Sequence, residues 1–268
     1  NYSYDFYGNI IREVDAIGNE INYTFDSATN TFTTRKTNAL GHRTNYEYDK
    51  GTGNLLSEER DGISKNYTYD TFGRIINEFI TPDNITFPTK NITYEFDGIS
   101  PEKIITKTKN NDTDYGESIY FYDGFSNPVQ IRLKYNPTIQ IVQNYIYDGK
   151  SRIIEEQIPY FQIYSTQINT SSSGFNIRYG YDALDRVINI TKRDNSISRT
   201  IFNNTKVLAV NELGIQKEYF IDTYGRIANV IEHNRNSSGA DEIYNTSYYY
   251  DSSDNLIRVV DTQGNNFT

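Results

Sequence analysis

Two imidazoles, His42 and His233, are the only side chains in this 268-residue sequence whose ordinary pKa suits proton transfer near neutral pH. They lie far apart in the chain, in different turn or strand-end contexts, so they are not expected to form a catalytic pair. There is no cysteine. Thiol nucleophiles and disulfides are therefore excluded, and two histidines without cysteine do not make a zinc site. Aspartates are the most regularly placed chemical groups: Asp5, Asp26, Asp49, Asp70, Asp97, Asp123, Asp148, Asp182, Asp222 and Asp251 recur about every 25 residues. A paired-carboxylate hydrolase uses one unique couple. One carboxylate per repeat, each beside turn residues, is instead what a structural cap requires. No enzyme, metal site or cofactor is expected.

Two further patterns carry chemistry. The segment Asn110-Asn111-Asp112-Thr113-Asp114-Tyr115-Gly116-Glu117 alternates side-chain oxygens as calcium loops do, but Phe121 stands where the bidentate Glu belongs. A solvated polar turn is expected there, with calcium the minor alternative. Asn-x-Ser/Thr acceptor triplets occur at Asn1, Asn22, Asn66, Asn84, Asn91, Asn111, Asn169, Asn189, Asn203, Asn236, Asn245 and Asn266. That is twelve, where composition alone yields about five. Either N-linked glycans decorate the chain, or a polar strand face rich in Asn and Thr generates the triplets as a by-product. Asn22, Asn66 and Asn91 are the favoured glycan sites, because Asn and Thr two apart in a strand share a face and leave the intervening residue to point into the sheet.

The elements that position these groups follow from the repeat. Its best copies are Tyr4-Asp5-Phe6-Tyr7-Gly8-Asn9-Ile10-Ile11, Tyr69-Asp70-Thr71-Phe72-Gly73-Arg74-Ile75-Ile76 and Tyr147-Asp148-Gly149-Lys150-Ser151-Arg152-Ile153-Ile154. In Lys65-Asn66-Tyr67-Thr68-Tyr69-Asp70 polar and aromatic residues alternate, which puts Tyr67 and Tyr69 on one sheet face and Asn66 and Thr68 on the other. Asp70 ends the strand by accepting backbone N–H bonds just ahead, Gly73 supplies positive φ, and Ile75 onward is the return strand. Second turns of similar type appear at Asp15-Ala16-Ile17-Gly18-Asn19, Asn38-Ala39-Leu40-Gly41-His42, Asn211-Glu212-Leu213-Gly214 and Asp261-Thr262-Gln263-Gly264. Eleven such units fill the chain, two of them degenerate, at Phe202-Asn203 and Ile221-Asp222. A lone hairpin is marginal, so stability must come from neighbours stacking their aromatic ladders. Tyr2/Tyr4, Tyr46/Tyr48 and Tyr67/Tyr69 are expected on a common buried face.

Composition sets the remaining bounds. Lys+Arg 26 against Asp+Glu 35 gives a net charge of −9 and a pI near 4.8, which disfavours nucleic acid. Aromatics at 15% supply stiff apolar bodies that disordered chains lack. No apolar run is long enough to cross a membrane as a helix. The absence of Met, and a first residue already inside the repeat, suggest an internal fragment of a longer chain. One domain, 1–268, is expected, with inserted loops near 165–174 and 234–239.

The repeated unit resembles the Rhs/YD-repeat signature, Tyr-Asp-x-x-Gly-Arg/Asn-Leu/Ile, over essentially the whole chain. The resemblance implies an all-β array of about eleven hairpins in an extended antiparallel sheet that spirals into a tube or shell. Such arrays occur in bacterial Rhs and toxin-complex proteins, in teneurins and in surface proteins. Toxin-bearing Rhs proteins usually carry an Asp-Pro-x-Gly-Leu self-cleavage motif after the array, and none of the six prolines here follows Asp. The sequons point to an extracellular, cell-surface array working as filament, sheath or adhesin, with neighbouring repeats or copies and glycans as partners. Without Cys it fits an archaeal surface protein better than an animal ectodomain. The second reading is a section of a hollow Rhs-type shell around a C-terminal toxin.

Overall fold

The computed structural model describes residues 1–111, 114–168, 176–235, 239 and 241–267. Among these it contains strands and turns and no helix. Successive strands are joined by short turns and pair antiparallel with their sequence neighbours, from Tyr2–Tyr4 with Ile10–Val14 through to Leu256–Val260 with Asn266–Phe267. This is the meander that alternating sequence and local turns dictate, because a short turn can only return the chain beside itself.

The chain gathers into two compact units. Asn1–Val142 with Phe161–Ile168 form the first; Gln143–Tyr160 with Asn169–Thr268 form the second. The first continues the meander as far as Pro128–Lys134, paired with Asp114–Tyr122. In the second, Ile153–Gln157 pairs with Asn176–Tyr181 and bypasses the intervening strand Tyr160–Ile163, which from Phe161 on belongs to the first unit. Of the two expected insertions, residues 169–174 and 236–238 lie outside the described residues, and with them Asn169 and Asn236.

Register is set by one device. At Tyr4, Phe25, Tyr48, Tyr69, Tyr122, Tyr147, Tyr181, Ile221 and Tyr250 the pairing slips by one residue just before the turn. A type I turn followed by a residue in the left-handed region leaves one extra residue on the return strand, which the bulge absorbs. That residue is Gly73 in the best copy, at φ 77°. The unit at Phe202-Asn203 departs from the pattern. Its strands close directly on Asn203 and Lys206, with no Asp turn between them.

The aromatic face differs from expectation. Tyr46, Tyr48, Tyr67 and Tyr69 are half-buried, and Tyr2 and Tyr4 are exposed. Among the described residues no second layer packs over the ladder, so each ring is covered mainly by its strand neighbours, and Tyr2 and Tyr4 sit on a strand paired on one side, with Ile10–Val14. Among the described residues the buried apolar side chains are Ile119, Phe121 and Val142 in the first unit and Val230 in the second.

Candidate functional site: the repeated Asp turn and its clasp

Each turn is built from its first residue. Asp70 Oδ1 accepts the N–H groups of Phe72 and Arg74, both at 2.9 Å, and Oδ2 accepts Arg74 Nε at 2.7 Å. The same bonds to the second and fourth following residues recur at Asp5, Asp15, Asp123, Asp148, Asp182, Asp222, Asp251 and Asp261. Asn38 and Asn211 repeat them through an amide oxygen. The turns at both ends of the strands are thus one structure. The need is local: two backbone N–H groups that the turn takes out of the ladder must find an acceptor, and a two-carbon side chain reaches both.

Three aspartates vary the theme. Asp26 is buried, and its carboxylate accepts N–H bonds from Phe32, Thr29 and Thr31 across a longer loop, which holds its pKa far below the usual range. Asp49 bonds Gly51 and Thr52. Asp97 bonds Ile99, while Glu102 accepts the N–H groups of Asp97 and Gly98. Elsewhere the turn carboxylates are held low by the same bonds; the Arg152 side chain, with the backbone N–H groups of Arg152 and Lys150, takes Asp148 down to about 2.

The fourth residue after the Asp links one repeat to the next. Arg74, Arg152, Arg186 and Arg226 each pair with their own turn Asp at 2.6–2.7 Å. Each guanidinium also lies over a ring of the following repeat: Tyr94 at 4.3 Å, Tyr181 at 4.6 Å, Phe202 at 3.9 Å and Tyr250 at 4.7 Å. Tyrosine closes the clasp in the other direction. The hydroxyls of Tyr69, Tyr94, Tyr181 and Tyr250 donate to the carbonyls of Leu55, Ile75, Ile153 and Ile227, each the residue that leaves the preceding turn. Where the repeat reads Phe96-Asp97, Tyr94 two residues earlier on the same face supplies the hydroxyl. Arg152 and Arg226 add a bond to Asp185 and Asp254, which occupy the left-handed position of the next turn. The clasp is absent from the sequence analysis, although Arg four residues after Asp70, Asp148, Asp182 and Asp222 is its visible signal. Tyr181→Phe removes one bond and leaves the Ile153 carbonyl short of a donor, so it is expected to cost about 1 kcal/mol in denaturant unfolding.

The remaining expected sites fall as follows. His42 faces Asp61 at 3.8 Å in the first unit, and His233 faces Glu218 at 3.8 Å in the second. The calcium-like segment forms a hairpin whose strands pair up to Asn111 and Asp114, with Asn110 Nδ2 donating to Asp114; Asp112 and Thr113 lie outside the described residues. Among the described residues no cluster of three His, Asp or Glu could hold a metal.

Of the sequon asparagines, Asn1, Asn22, Asn84, Asn111, Asn203, Asn245 and Asn266 are exposed, while Asn66, Asn91 and Asn189 are half-buried. Asn91 Nδ2 donates to Asn77 Oδ1 at 2.8 Å, and Asn77 donates to Thr68 Oγ1 at 2.9 Å. The Asn/Thr face is therefore a cross-strand ladder in its own right. Followed across the register from Asn91 to Lys107 and Glu117, it becomes the face reached by Tyr164, Ser165 and Thr166, which follow the strand Tyr160–Ile163 paired beside Ile139–Tyr147. There Tyr164 donates to Glu117 at 2.7 Å, Arg132 donates to Gln130 at 2.6 Å and to the Ser165 carbonyl at 2.9 Å, and Gln140 donates to the Ile163 carbonyl at 3.2 Å. Gln130, Arg132 and Gln140 are almost fully buried. The face expected to point outward is covered at this place.

No protein-family model and no curated protein matches the sequence. Solved structures do. The crystal structure of TcdB2-TccC3-Cdc42 superposes with a TM-score of 0.82 at 14% identity, over 97% of this chain and 19% of that one. TcdB2-TccC3-TEV gives 0.83 at 13% identity, again over 97% and 19%. The Photorhabdus luminescens Tc holotoxin pore carrying TccC3-D651A gives 0.75 at 15%, over 90% and 18%. This chain thus spans about a fifth of each. At such identity the likeness establishes the fold, an antiparallel β array of the Rhs/YD-repeat shell type, in agreement with the resemblance carried by the Asp turns.

Proposed function

We propose that the chain is a section of the wall of a hollow Rhs-type shell, which encloses a C-terminal toxin domain carried on a longer polypeptide. One observation carries this reading: the superposition on TcdB2-TccC3 structures over 97% of the chain. Single-layer construction fits a wall, since a sheet whose repeats are clasped edge to edge by Arg, Tyr and Asp extends without a second layer. The role is structural, with the Asp turns and their clasps as its working parts and catalysis left to whatever the wall surrounds. Electron microscopy of the intact parent polypeptide tests it. Hollow particles with a wall one sheet thick are expected, and solid filaments would overturn it.

The filament, sheath or adhesin reading retains one supporting observation, the exposure of Asn22, Asn84, Asn203 and Asn245 within a twofold excess of acceptor triplets. On an extracellular, glycosylated array these four carry sugar, whereas Asn91, whose amide is engaged in the ladder, stays bare. Intact-glycopeptide mass spectrometry on protein from its own host decides it: unmodified Asn at all four positions removes this reading.

A further inference from the structure

In the first unit one joint between repeats lacks its side-chain tie. After Asp5, Asn9 donates to the Asn30 carbonyl of the next turn at 2.7 Å, and after Asp26, Phe32 stacks on Tyr48 with ring centroids 5.1 Å apart. After Asp49 the Tyr69 hydroxyl reaches the Leu55 carbonyl, and after Asp70, Arg74 covers Tyr94. Asp97 has Pro101 where those repeats carry Asn or Arg. Among the described residues no side chain of its turn bonds or stacks on the repeat that follows, and the Tyr122 hydroxyl has no partner. The Tyr122 ring meets Tyr120 on its own strand, at 6.3 Å, and no cation lies over it. The space that an arginine fills elsewhere is open here. It is a cavity of about 520 Å³ whose walls include Phe96, Glu102, Ile104, Tyr122, Asp123 and Ser126.

The walls have the chemistry of a clasp without its cation. Phe96 and Tyr122 supply rings. Glu102 stands across the strand pair from Tyr122, and its two oxygens accept the N–H groups of Gly98 at 2.9 Å and Asp97 at 3.0 Å. Each carboxylate oxygen has a second lone pair, so Glu102 can still accept from a ligand. Ser126 sits at φ 65°, in the left-handed position from which Asp185 and Asp254 meet Arg152 and Arg226 in other repeats. A carboxylate beside aromatic rings suits a planar, delocalised cation better than a compact ammonium. We propose that this cavity binds a guanidinium group from outside the chain, the arginine side chain of a partner polypeptide. Charge favours that occupant, since neither Lys nor Arg is among the lining residues and the chain carries a net charge of −9. The site is made by the sheet itself and stands whether or not the sheet walls a shell.

An NMR titration of the 268-residue chain with acetyl-Gly-Arg-Gly-amide tests this, with the Tyr122 ring signals assigned through Tyr122→Phe. The Tyr122 ring and Gly124 amide signals are expected to move along one saturable curve. The citrulline analogue keeps the shape without the charge and is expected to bind at least about tenfold more weakly, and the lysine analogue about threefold more weakly. These comparisons use the parent chain and need no variant to fold. Glu102→Gln keeps an oxygen for the turn and is expected to weaken the arginine probe at least about fivefold. Glu95→Gln removes a carboxylate from the opposite face of the same sheet, where Glu95 pairs with Lys103, and is expected to bind as the parent does. Absence of a saturable shift at Tyr122 overturns the proposal. So does a citrulline or lysine probe that binds as tightly as arginine, or an equal loss in Glu102→Gln and Glu95→Gln.

Discussion

Arg132→Leu is expected to destabilise the first unit by about 3–5 kcal/mol, the range for removing one partner from a buried charged network. The guanidinium is almost wholly out of water, bonded to Gln130 Oε1 at 2.6 Å and to the Ser165 carbonyl at 2.9 Å, with the Phe121 ring centroid 5.5 Å away. Leucine replaces much of the apolar volume and none of the donors. The Gln130 carbonyl oxygen and the Ser165 carbonyl then remain buried with a bond lost, which is the expensive half of the change. The stretch 164–168 should loosen first, because the Ser165 contact is one of its few side-chain ties to the sheet, with Tyr164–Glu117 and Lys103–Thr166, whereas Tyr160–Ile163 is also held by strand pairing with Ile139–Tyr147. Urea unfolding and limited proteolysis between residues 160 and 168 read the two effects. Unchanged unfolding together with unchanged protease resistance would mean that the segment is held by something other than Arg132. Arg132→Lys, which keeps a charge but cannot reach both acceptors with a planar fork, should fall between.

Acid should collapse the array over a narrow range. The turn carboxylates at Asp15, Asp148, Asp222, Asp251 and Asp261 all have folded pKa values below the ordinary value, Asp148 at about 2. For Asp148 the first cause is the Arg152 side chain, for Asp222 the Arg226 backbone N–H, and for Asp15, Asp251 and Asp261 the side-chain amide four residues on. A lowered folded pKa means that the unfolded chain takes up protons first. The stability these groups supply is complete above about pH 4, the unfolded aspartate pKa, and is lost as pH falls through the folded values toward about 2. Because the same turn closes hairpin after hairpin, many protons bind in one window, and the melting temperature should drop steeply there after a flat stretch from pH 7 to about 5. A melting temperature independent of pH down to 2 would refute this account. The triple variant Asp123→Asn/Asp251→Asn/Asp261→Asn should show a shallower fall. Asn38 and Asn211 already hold the same turn with an amide, and the fourth residues Asn127, Asn255 and Asn265 can present a carbonyl to the new amide.

The turns were legible in the sequence because they are local. Every bond that defines one lies within five residues, so the identities at Asp70, Phe72, Gly73 and Arg74 are sufficient to specify it, and period-two alternation then gives the strands between. The all-β array follows from those two facts alone. What required the third dimension is whatever joins residues distant in the chain. Tyr181 meets the Ile153 carbonyl, and Arg226 meets the ring of Tyr250, only once register is fixed by the bulge beside each turn. The long interval between Asp148 and Asp182 announced an insertion, but its sequence does not say where 160–168 lies. Nothing distinguishes Gln130 and Arg132 from other polar strand residues until that segment covers them. Burial depends on what lies over a face, and alternation reports only that two faces differ. For this reason alternation alone puts Tyr67 and Asn66 on opposite sides, while the depth of each side, half-covered rings on one and a partly buried amide ladder on the other, was decided by tertiary structure.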